Sequence, residues 1–102
     1  MKNNDFENIL DILHGVIYHN AMNNWYNCNH EKAWKEAESI LYDIRNDKNF
    51  KMMKRKKLES VFGWIESVVY RYDAGSLPDL CDRNHASEYS NKIITLFKNK
   101  LK

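Results

Sequence analysis

The stretch Leu58-Glu59-Ser60-Val61-Phe62-Gly63-Trp64-Ile65-Glu66-Ser67-Val68-Val69-Tyr70-Arg71-Tyr72 decides the fold class. Its apolar residues Leu58, Val61, Phe62, Ile65, Val68, Val69 and Tyr72 follow one another at intervals of 3, 1, 3, 3, 1 and 3. That spacing lays them along one stripe of a helix of about 3.6 residues per turn, whereas a strand repeats every second residue. The spacing predicts a helix over about residues 52–72, opened by the basic turns Lys51, Lys54, Arg55, Lys56 and Lys57. Asp73-Ala74-Gly75 ends it, with Gly75 in the position of a left-handed cap.

Working outward, the same rhythm recurs upstream. Phe6, Ile9, Leu10, Leu13, Val16 and Ile17 form a stripe predicting a helix over about residues 5–20, with Asn4 as its cap and Glu7 as capping-box partner. A second helix is expected over about residues 30–45, on Ala33, Ala37, Ile40, Leu41 and Ile44, with Trp34 on its flank and Asn27 or Asn29 as cap. Between the two, the asparagine-rich text around Met22, Trp25 and Tyr26 reads as a loop that folds back and packs, unless the first helix runs on into it. Downstream, Ser76-Leu77-Pro78-Asp79 restarts structure as a short helical turn to about Cys81. A last helix over about residues 86–100 carries Tyr89, Ile93, Leu96 and Phe97, capped by Asn84. The expected fold is all-α: one domain, a compact bundle of four main helices with a short extra helical turn after the third.

Composition agrees. The chain has 102 residues, 43% hydrophobic and 29% charged, which excludes wholesale disorder. One proline and three glycines do not suit a turn-rich β fold or a glycine-rich phosphate loop. Thirteen asparagines are the outlier, and those at 4, 27, 29, 46, 49 and 84 fall where helices start or stop. The chain opens on charged and polar residues, with no stretch of signal-peptide or membrane-span character, so a cytoplasmic protein with reduced thiols at Cys28 and Cys81 is the expectation.

Chemistry-bearing motifs are scarce. His14, His19, His30, His85, Cys28 and Cys81 lack the paired spacing of a metal site, so neither metal nor other cofactor is expected. His30-Glu31 and Asp79-x-x-Asp82 are the best acid–base pairs, and capping and solubility explain both. No nucleophile elbow, metalloprotease or nucleotide-loop text occurs, so no enzymatic activity is expected.

Two surface features remain. Net charge is +2, yet residues 1–50 hold 5 cations against 8 acids and residues 51–102 hold 11 against 6. Lys48, Lys51, Lys54, Arg55, Lys56 and Lys57 put six cations in ten residues, which offers a nucleic-acid contact at the basic start of the third helix. Arginine, the better base reader, appears there once, and the short glycine turn of a helix-turn-helix is missing. The second feature is aromatic: three Trp and six Tyr exceed what one stripe per helix absorbs. Tyr18, Trp25, Tyr26, Glu31, Glu38 and Tyr42 define an acidic, aromatic strip, the make-up of a protein-binding surface facing a basic partner such as a toxin or effector. The leading expectation is a non-enzymatic binding module of the immunity-protein, antitoxin or phage-antagonist kind that acts by steric occlusion. A nucleic-acid-binding domain and an oligomeric assembly subunit, such as a homodimer, are the alternatives.

Overall fold

A computed structural model describes residues 3–24, 28–76 and 83–101. These form five helices: α1 Asn3–Asn24, α2 His30–Arg45, α3 Phe50–Met53, α4 Leu58–Ser76 and α5 Arg83–Lys100. No strand occurs among the described residues, and no helix of theirs is long and apolar enough to cross a membrane. The sequence stripes become the core. Phe6, Leu10, Leu13 and Ile17 of α1 meet Ala37, Ile40 and Ile44 of α2, Val61, Ile65 and Val69 of α4, and Ile93 and Phe97 of α5. Burial of each large apolar side chain contributes about 1.5–3 kcal/mol, which makes this layer the main stabilising term.

Cross-helix pairs fix the topology. Glu7 meets Arg45, His14 meets Glu38 and Tyr18 meets His30, so α2 descends as α1 ascends. Phe62 packs edge-on to Phe97, with ring centroids 5.5 Å apart, near the start of α4 and the end of α5. The molecule is therefore two antiparallel helical hairpins packed on each other, 38 × 25 × 22 Å overall.

Four boundaries settle or revise the sequence expectation, the first by choosing the longer of the two readings of α1. First, α1 runs through Asn24, where Asn24 Nδ2 donates back to the Asn20 carbonyl at 3.0 Å. Second, Asn4 and Asn84 lie inside helices rather than capping them, while Asn29 caps α2 by accepting from the Lys32 N–H at 2.9 Å. Third, the basic run does not open one long helix: the chain breaks between α3 and α4, and Lys54, Arg55, Lys56 and Lys57 form the turn. The reason is aromatic packing. A continuous helix would hold Phe50 and Trp64 about 21 Å apart along its axis, at about 1.5 Å per residue. Their ring centroids are 6.2 Å apart, with Phe6 against both, so the chain doubles back at the four successive cations. Fourth, Gly75 is not a left-handed cap but an ordinary residue of α4, which continues to Ser76. The extra turn expected near 76–81 lies outside the described residues; the short helix that is described, α3, precedes the third main helix.

Polar groups lock the corner after α2. Asp47 accepts the Asn49 N–H at 2.8 Å, the Trp64 indole N–H at 2.9 Å and the Arg71 guanidinium at 2.6 Å. Burial alone would push this carboxyl up, but those donors and the Arg71 charge hold it below the ordinary aspartate value.

A candidate docking face on α1 and α2

The outer row of α2 is set by spacing. His30, Trp34, Glu38 and Tyr42 stand four residues apart and share one face of the helix. Trp34 is 48% exposed and Tyr42 68% exposed, both large for side chains that gain by burial. Alongside them, Glu31 and Lys35 form an exposed pair at 3.2 Å.

Rings from α1 and from the start of α2 hold Trp34 from the side. The His14 ring meets its edge at a centroid distance of 4.5 Å, and Tyr18 and His30 lie at 6.0 and 6.1 Å. Hydrogen bonds fix those supports: His14 Nε2 lies 3.0 Å from Glu38 Oε1, and the Tyr18 hydroxyl is bonded to His30 Nδ1. An aromatic held on three sides loses little further freedom when a partner covers it.

The surroundings are acidic. Arg45 donates both arms to Glu7, at 3.2 and 2.9 Å. The Arg45 bond holds the Glu7 carboxyl below its ordinary value, and Arg45 is raised by that bond and by the charges of Glu7, Asp11 and Glu38. Three carboxylates thus gather around one guanidinium beside the exposed aromatics.

The structure sorts the sequence candidates. Glu31, Glu38 and Tyr42 are exposed on α2 as expected. Tyr18 is half-buried, packed against the core, and acts on the face as a support. Trp25 and Tyr26 lie outside the described residues. Trp34 and His14 were not among the candidates, although the four-residue spacing of 30, 34, 38 and 42 on α2 and of 14 and 18 on α1 is visible in the text. Glu36, a charged residue of α2, is buried, and the Tyr89 hydroxyl donates to it at 3.1 Å. Burial, reinforced by the Asp73 charge, raises the Glu36 carboxyl above its ordinary value against hydrogen bonds from Tyr72 and Tyr89.

The basic run wraps a corner. Lys51, Arg55 and Lys56 surround Met52 in a shallow depression of about 500 Å³, and Lys57 is exposed beside it. Lys54 is drawn inward, its Nζ 4.8 Å from the centre of the Phe50 ring. Among the described residues, no three His, Cys, Asp or Glu side chains are grouped to hold a metal ion. No family model matches the chain, and comparison with curated proteins and with solved structures finds no match.

Proposed function

We propose that this protein is a binding module that docks a basic partner protein on the α1–α2 face and covers that partner's working surface. It would thereby serve as an inhibitor of the immunity-protein, antitoxin or phage-antagonist kind. The observation that carries the reading is Trp34: half-exposed, braced by His14, Tyr18 and His30, with Glu31 and Glu38 one helical turn to either side. Interface energy concentrates in such preorganised aromatics, while surrounding charges steer the encounter and select its sign. A face bounded by the 38 and 25 Å extents has room for the roughly 800 Å² per partner of a standard interface.

The test is site-specific photocrosslinking in cells that express the protein, with the crosslinker at Tyr42 and, as control, at Lys57. The expected product is one protein adduct from position 42, reduced about tenfold or more by Trp34→Ala and by Glu38→Lys, as for a hot spot of 1.4 kcal/mol or above. Equal adducts from both positions, or an adduct indifferent to Trp34, would sink the reading. A nucleic-acid module is the second reading, because Lys51, Arg55, Lys56 and Lys57 are exposed together around Met52. It requires a gel shift at low ionic strength that fades steeply with salt.

A further inference from the structure

A groove of about 730 Å³ runs between α1 and α5, within the size range of ligand sites. Its α1 residues Val16, Asn20 and Asn23 turn away from His14 and Tyr18, at 100° per residue, while the His19 ring on its rim meets Tyr18 at a centroid distance of 5.2 Å and so borders the Trp34 face. Its apolar lining includes the buried Val16 and the exposed Leu96. Lys92 and Lys100 line it, and the amides of Asn23 and Asn99 stand on opposite helices.

Charge on these walls has one sign. From Ile12 to His30 the chain has no carboxylate, and from Lys92 to Lys100 it has three lysines and again no carboxylate. Asn23 and Asn99 stand in the last turns of α1 and α5 and are both exposed. Asn20 and Asn24 are engaged with each other at 3.0 Å, which stiffens the α1 wall of the groove.

From this lining we infer that the α1–α5 groove is a second docking site, for an extended acidic peptide segment with alternate apolar side chains. An amide carries both a donor and an acceptor, the complement of an extended main chain whose own groups are unpaired. Val16 and Leu96 receive the apolar side chains, and the lysines receive the carboxylates. Single-stranded nucleic acid fits less well. Its recognition relies on aromatic stacking and arginine, and the groove lining offers one aromatic ring, His19, with no Trp, Tyr, Phe or Arg.

The full chain is titrated against fluorescein-labelled decapeptides in which Asp or Glu alternates with Leu, Ile or Val, read by fluorescence anisotropy. Saturable binding is expected, weakened about tenfold or more by K92E/K100E, two exposed positions whose reversal leaves the core intact. Lys57→Glu and Trp34→Ala should leave it unchanged, which separates this site from the α1–α2 face. In two-dimensional NMR the side-chain amides of Asn23 and Asn99 should shift on binding. Absence of binding, binding indifferent to K92E/K100E, or displacement of the peptide by oligothymidylate at equal or lower concentration would each overturn the inference.

Discussion

Asp47 ties the turn after α2 to α4 through three hydrogen bonds to one carboxylate, so its removal should cost more than any surface charge. Its side chain is 7% exposed and bonded to the Asn49 N–H, Trp64 Nε1 and Arg71. In Asp47→Ala, the Trp64 N–H is left in the core without its acceptor, at about 1–3 kcal/mol. Loss of the turn bond to Asn49 adds about 1 kcal/mol. Arg71 is 59% exposed, and such ion pairs are worth at most about 1 kcal/mol. The total is about 3 kcal/mol, a large share of a stability of about 5–15 kcal/mol. At about 4–8 °C per kcal/mol, the melting temperature should fall by roughly 15 °C. The assay is urea unfolding followed by far-ultraviolet circular dichroism at neutral pH, on D47A, R71A, W64F and D47A/W64F. Phe at 64 removes the N–H, so D47A should cost about 1–2 kcal/mol less in that background. The sign with pH also follows. The folded-state pKa lies below the unfolded one, so the contribution is complete above about pH 4–5 and is lost as pH falls through the folded value. A D47A cost no larger than that of R71A, or a cycle without coupling, would refute this account of the corner.

Two further outcomes bear on the interior and on α4. Burial raises the Glu36 pKa above its unfolded value, so the folded state holds its proton more tightly, and the contribution of Glu36 to stability should rise as pH is lowered through the folded value towards about 4.3. Glu36→Gln should melt higher than wild type at neutral pH and show a flatter profile over that window; an unchanged profile would contradict the burial argument. Gly63 is an exposed interior position of α4, and a Cβ there meets nothing within 4 Å. Gly63→Ala should therefore stabilise by about 0.8–1.0 kcal/mol, checked by the same urea titration.

Half of the candidate docking face is legible in the sequence. Glu31, Glu38 and Tyr42 follow from the stripe of α2, because a residue off the buried arc of an amphipathic helix faces water. Trp34 was harder, since its edge position suits either core or surface, and only the rings that α1 brings beside it decide. Glu36 shows the opposite failure. It stands next to Ala37 of the stripe, and the approach of Tyr72 and Tyr89 from α4 and α5 closes over it.

What the sequence determined by itself was the helical class, the four main amphipathic segments and the residues of their buried stripes, because a helix's periodicity is local and its core face is written every three or four residues. What only the tertiary structure decided was the break at Lys54–Lys57, the inward turn of Glu36 and the bracing of Trp34. Each depends on side chains far apart in the chain: Phe50 reaching Phe6 and Trp64, Tyr89 reaching Glu36, and His14 reaching Trp34. Short-range pattern does not encode such meetings, which form only when the two hairpins close on one core.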